Sequence, residues 1–183
     1  ARIFRDKLAM RRRAGESGIR QAAFAQALHY QHVGEFMERV PGPWVLKPRA
    51  DASAIGIKKY SDSEDVWKAI DKLNAETNPR ERAGSYLIEE FIAGEVFHVD
   101  SLICGGKVVV AGANRYGNEP LKIAVEGGIA TSITLEYDSP IRQKLLEANE
   151  AVVASLNLKD GVAHTEFIKA DHDGEIYFLE IGA

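Results

Sequence analysis

The sequence predicts an α+β protein built as two lobes. Helical and antiparallel-strand patterns are interspersed along it, no βαβ unit recurs, and a strand gives way to a loop around Gly94. The expected lobes are residues 1–92 and 93–183.

Residues 4–15 read as a basic helix stopped by Gly15. A second helix is expected over 24–39, with Ala27, Leu28, Val33, Phe36 and Met37 as its apolar positions, and Pro41-Gly42-Pro43 ends it. Trp44–Lys47 is a short strand, and Ile55–Tyr60 is another after a small-residue loop. Ser61 with Glu64 has the spacing of a capping box, followed by a helix whose stripe is Val66, Ile70 and Leu73 and which ends near Asn78-Pro79.

Tyr86–Ile92 is a strand running into Ala93-Gly94. Phe97–Ile103 and Lys107–Ala113 form a hairpin turned by Gly105-Gly106, and 129–137 alternate as a further strand. Ser139-Pro140 supplies an N-cap and a first helical residue, and Ile141, Leu145, Ala148, Val152 and Leu156 make the stripe that follows. A last hairpin joins 161–170 to 175–181 through His172-Asp173-Gly174.

That hairpin carries the sharpest chemical signal. If its loop is the three residues 172–174, stepping back along both strands brings Glu166 opposite Glu180 on one face. Like charges there repel, and a hard cation such as Mg²⁺ between them makes the arrangement intelligible. The alternative is a pair of solvated strand residues on a loop of another length. Phe167, Ile168, Phe178, Leu179 and Ile181 are too apolar for a fully exposed ribbon. Relief of repulsion predicts that Glu166→Gln or Glu180→Gln keeps or raises stability without metal.

Other charged positions are open to two readings. Lys47 ends an apolar strand, where its charge must leave the core or meet an anion. The loop behind it, Arg49 to Gly56, has mostly small side chains that let backbone N–H groups approach phosphate; it is equally a hairpin connection. Lys7, among Arg5, Arg11, Arg12 and Arg13, reads as a solvated helix face. Glu89-Glu90 end a strand whose exposed backbone could bind an adenine edge, with Glu95 near a ribose; a capped acidic strand end is the bland reading. Arg115 and Lys122 flank a loop, and Arg115 reaches either solvent or a triphosphate or substrate carboxylate. His164 is a phosphate contact or a structural histidine.

Composition excludes several classes. The net charge of −4 creates no field favouring nucleic acid or membrane, and no apolar run approaches the roughly 20 residues of a membrane helix. Cys104, the only cysteine, is expected to be inert core, and its lack of a partner suits a reducing, cytoplasmic setting. No zinc spacing or nucleophile–base constellation appears.

Five segments in order resemble the ATP-grasp superfamily: Arg5–Met10, Trp44–Pro48, Leu87–Glu95, His164–Phe167 and Phe178–Ala183. The nearest likeness is to biotin-carboxylase-like and carboxylate–amine ligase members. The resemblance implies two α+β lobes with mostly antiparallel sheets gripping a nucleotide between them, ATP and Mg²⁺ as cofactors, and small-molecule carboxylate and amine-type substrates joined through an acylphosphate. It implies that Lys7 and Lys47 contact phosphates, that the Glu90 carbonyl and the Ile92 N–H, with Phe91 between them and Glu89 nearby, hold adenine, and that Glu95 holds ribose. Glu166 and Glu180 would ligate Mg²⁺, and Lys47 and Arg115 would be catalytic.

Three departures from the family pattern accompany the likeness. Gly56 is the one glycine in the loop after Lys47, so Ser53 would carry part of the phosphate grip. Gly182 stands where many relatives have an Asn metal ligand. The chain lacks an initiator Met and stops directly after a strand, so an N-terminal domain and a C-terminal end are expected to be missing. A nucleotide-binding regulatory module without ligase activity, and a plain α+β interaction domain, are the competing expectations; homo-oligomerisation stays open.

Overall fold

A computed structural model describes residues 2–50, 56–80, 82–118, 123 and 127–183. They divide into two compact units, one formed by 22–91 and the other by the first 21 residues with 92–183. Ser53 and Lys122 lie outside the described residues.

The unit of 22–91 is a four-stranded antiparallel sheet backed by two helices. Its strands are β1 (Phe24–Gln26), β2 (Trp44–Pro48), β3 (Lys58–Tyr60) and β4 (Tyr86–Glu90), in the order β1-β4-β2-β3. The helices are α1 (Lys7–Glu16), which belongs to the other unit, and here α2 (Tyr30–Arg39) and α3 (Ser63–Ala75). Val33 and Phe36 of α2, Val66 and Ile70 of α3, and Trp44, Leu46 and Ile88 of the sheet form one buried cluster. Alternation therefore sends Val45, Lys47, Leu87 and Glu89 to the sheet's other face.

The expected helix over 24–39 is shorter. Phe24–Gln26 pairs with the free edge of β4 as a strand, and Leu28, expected on the apolar stripe, is exposed. Short apolar runs carry both periods, and tertiary pairing decides between them. The cap of α3 is Asp62, one residue after the expected Ser61; its Oδ1 accepts the Glu64 N–H at 2.7 Å. The strand expected over 55–60 is described only at 58–60.

The second unit is a five-stranded antiparallel sheet ordered β7-β6-β5-β8-β9. Its strands are β5 (Gly94–Cys104), β6 (Lys107–Tyr116), β7 (Ser132–Thr134), β8 (Gly161–Ala170) and β9 (Ile176–Gly182). Gly105 and Gly106, with φ of 58° and 79°, make the β5–β6 turn. A Cβ on Gly94 would lie 2.1 Å from the Lys169 carbonyl oxygen, so the approach of β5 to β8 requires glycine there. Of the expected 129–137 strand, Ser132–Thr134 forms β7. Cys104 is exposed beside the turn rather than in the core.

Helix α4 (Pro140–Ser155) covers one face, capped by Ser139 as the sequence implies. Leu145, Val152 and Leu156 bury against Phe97, Val99, Phe167, Phe178 and Ile181. Helix α1 joins the same core through Met10 and Ala14, although the sequence division places it with the first lobe. Asp6 caps it, accepting the N–H groups of Leu8 and Ala9. Gly15 lies inside the helix, and the chain leaves through Gly18 at φ 75°.

Candidate functional site

The face of the five-stranded sheet opposite this core carries registered polar rows, followed by the apolar row Val110–Leu102–Val162. One row runs Thr134–Asn114–His98–Glu166–Glu180 across all five strands. The next runs Gly112–Asp100–His164–Gly182. Paired residues share a face, so Glu166 and Glu180 point to the same side.

The route to that register differs from the expected one. Ala170 and Glu175 close the turn, leaving four residues in the loop rather than three. This shifts the ribbon by one, so that Phe167 faces Phe178. A β-bulge at Leu179 then restores the register and sets Glu166 opposite Glu180.

Neither carboxylate is left to repel the other. The Tyr116 hydroxyl donates to Glu166 Oε1 at 2.6 Å, and His164 Nε2 lies 3.5 Å from the same oxygen. Lys7 Nζ sits 3.0 Å from Glu180 Oε2. Lys7 is buried rather than solvated, and so is Arg11 one turn later, whose guanidinium donates to the Phe178 carbonyl at 2.7 Å. Burial pushes the Glu166 carboxyl up, but hydrogen bonds from His164 and Tyr116 outweigh it and hold the group below the usual range. The same contacts, Glu166 first and then Asp100, raise His164 to about 9. Burial lowers His98 and raises Tyr116.

In the unit of 22–91, Lys47 Nζ lies 2.7 Å from Glu89 Oε2, and both side chains are almost inaccessible. Glu89 is therefore not on an exposed hinge; β4 is paired on both edges. Glu90 Oε2 accepts the Ala23 N–H, and the Phe91 N–H donates to the Pro43 carbonyl. Lys59 Nζ stands 3.6 Å from the centre of the Phe91 ring. Ile92 is buried in the other unit.

Arg115 is not brought to the carboxylates. It pairs with Phe97, so it leaves the sheet on the face away from Glu166, 3.8 Å from a half-exposed Glu95 on that same side. Sequence reasoning missed His98, Asp100, Asn114 and Tyr116. The alternation of His98 and Asp100 along β5 was visible, but the partners that give it meaning come from β8 and β6.

The sequence model of the ATP-grasp domain family matches residues 40–183. The chain is 25% identical over 179 residues to the L-arginine-specific L-amino acid ligase of Bacillus subtilis, covering 96% of this chain and 42% of that protein. Its fold is similar to that of the L-amino acid ligase from Bacillus licheniformis, with a TM-score of 0.73, 24% identity and coverage of 98% and 40%. It also matches the biotin carboxylase domain of the Hydrogenobacter thermophilus 2-oxoglutarate carboxylase, with a TM-score of 0.79, 16% identity and coverage of 99% and 40%. At these identities the solved structures establish the fold alone. The chain spans about two fifths of the length of these relatives. With the family match covering most of its residues, the chain belongs to the ATP-grasp domain family.

Proposed function

We propose that this chain binds Mg-ATP as part of an ATP-dependent carboxylate ligase. The observation that carries the reading is the registered pair Glu166–Glu180, with the Lys7 ammonium at one of the two carboxylates. Two facing carboxylates offer the hard oxygen ligands that a divalent cation takes. When bound there, Mg²⁺ supplies neutralisation of phosphate charge.

Each unit contributes groups on its own geometry. In the unit of the first 21 residues with 92–183, Lys7, Glu166 and Glu180 are the phosphate and metal candidates. In the unit of 22–91, Lys47 and the end of β4, Glu89 to Phe91, are the nucleotide candidates; the Ile92 N–H and Ser53 remain candidates for adenine and phosphate. In the proposed reaction a substrate carboxylate oxygen attacks the γ-phosphorus and ADP leaves. An amine then attacks the acyl carbon and phosphate leaves. Lys7 and Lys47 are each candidates to offset negative charge on phosphate oxygens. The relatives named as L-amino acid ligases support amino acids as the carboxylate and amine. The Hydrogenobacter domain, solved with MgADP and bicarbonate, supports the nucleotide.

Binding of ATP to the intact protein, with and without Mg²⁺, tests the reading. Mg-ATP at 100 times its dissociation constant should stabilise the fold by about 2.7 kcal/mol. No stabilisation, or equal stabilisation in Glu166→Gln and Glu180→Gln, overturns it. Gly182, which brings no metal-ligating side chain opposite His164, favours a second reading as a regulatory nucleotide module. Amino-acid-dependent release of ADP and phosphate separates the two.

A further inference from the structure

We propose that His98, Asp100 and His164 form a divalent transition-metal site, distinct from the Glu166–Glu180 pair and independent of nucleotide. Strand β5 supplies His98 and Asp100 two residues apart on one face, and β8 sets His164 in register opposite Asp100. One ligand atom from each of the three lies within 4.8 Å of the others. Asp100 stands between the rings: Oδ1 is 2.7 Å from His164 Nδ1 and Oδ2 is 2.9 Å from His98 Nδ1.

The second observation is the state of His98. Its residue is 94% buried, being 6% exposed, and Nδ1 has no aligned hydrogen-bond partner despite the nearby carboxylate oxygen. Its other nitrogen, Nε2, is engaged by Ser132 Oγ at 2.7 Å. If Nε2 carries the proton, Nδ1 is a lone pair beside a carboxylate oxygen, two acceptors with nothing between them. If Nδ1 carries it, the N–H misses the oxygen and a buried donor is wasted. A cation at the focus of the three atoms resolves both cases.

The atoms around the triad match what metal ligands require. A ligating histidine has its remote ring nitrogen held by a polar partner, which fixes the ring. Ser132 holds His98, the Tyr116 hydroxyl lies 3.1 Å from His164 Nε2, and Asn114 Nδ2 donates to Asp100 Oδ2 at 3.3 Å. Two imidazoles and one carboxylate suit zinc, manganese, iron or cobalt rather than Mg²⁺, which prefers an all-oxygen shell. Asp100 and His164 also line a cavity of about 560 Å³ with Leu102, Val110 and Val162.

The test uses the intact protein, stripped by chelator and titrated with Co²⁺ without nucleotide. With Mg²⁺ in excess, the expected result is one Co²⁺ per chain with a visible d–d band. Asp100→Asn and His164→Gln, both at partly exposed positions, should weaken binding at least about tenfold with an unchanged circular dichroism spectrum. His98→Gln should do the same. Glu180→Gln should keep the band while losing Mg-dependent ATP binding. A failure of ATP binding with the band intact would therefore count against the ligase reading only. Absence of the band, its indifference to the three triad variants, its displacement by Mg²⁺, or its loss in Glu180→Gln would each overturn the site.

Discussion

Lys47 and Glu89 form a buried ion pair, Nζ to Oε2 at 2.7 Å, on the face of their sheet turned away from α2 and α3. Removing one member takes the counter-ion from a charge held away from water, which costs about 3–5 kcal/mol. Lys47→Met and Glu89→Leu are each expected to destabilise by that amount in urea denaturation. The double variant should cost much less than the sum, because no charge remains buried. Additive losses would show that the two charges do not depend on each other.

Glu166 and Glu180 lead to a reversal of the expectation drawn from their spacing. Repulsion alone implies that Gln at either position leaves stability unchanged or better. The Tyr116 hydroxyl and the Lys7 ammonium change the sign. Glu166→Gln is expected to cost about 1.5–3 kcal/mol through a weakened charge-assisted hydrogen bond. Glu180→Gln, which takes the carboxylate from the buried Lys7 ammonium, is expected to destabilise in the same direction. Tyr116→Phe should destabilise in the same sense as Glu166→Gln, and the two should not add. Chemical denaturation without metal measures all three.

The legible parts of this site are those set by short-range geometry. The final hairpin could be registered from its turn, and it came out correctly only because the longer loop and the Leu179 bulge offset each other. The cap at Ser139 and the stripe on α4 follow from local propensity. The pairing of β5 with β8 joins residues more than sixty apart, as Asp100 and His164 do, and no turn chemistry encodes it. The partners of Tyr116 and His98 were invisible for the same reason. The burial of Lys7 required knowing that α1 packs with β9, from the other end of the chain. A run of basic residues by itself reads as solvated.

Asp173 predicts how the closing hairpin responds to acid. Its carboxylate accepts the Glu175 N–H at 2.9 Å and the Tyr177 hydroxyl at 2.8 Å, with Arg20 at 3.6 Å. The Glu175 N–H first, then Tyr177, His172 and Arg20, hold the group below the usual aspartate range. The unfolded chain, with its aspartates near about 3.9, therefore binds this proton more readily than the folded one. The stabilisation is complete above that value and is lost as pH falls through the depressed folded one. Asp173→Asn should flatten the acid limb of a melting-temperature profile between about pH 6 and about pH 2. An unchanged slope would mean the turn contacts do not persist in solution.

Lys7 supports a prediction in which two affinities move in opposite directions. Its ammonium lies 3.0 Å from Glu180 and so stands, without metal, where positive charge is needed. Lys7→Met removes that charge and leaves two carboxylates facing each other. Without nucleotide, Mg²⁺ or Mn²⁺ should then bind more tightly, by roughly tenfold or about 1.4 kcal/mol, because it no longer competes with a resident cation. Mg-ATP should bind more weakly, because the proposed phosphate contact is lost. Calorimetric titration with metal alone and with Mg-ATP reads both. A merely structural lysine would weaken both ligands together or leave both unchanged. A rise in one with a fall in the other follows only if the same ammonium neutralises the carboxylates when metal is absent and the phosphates when nucleotide is bound.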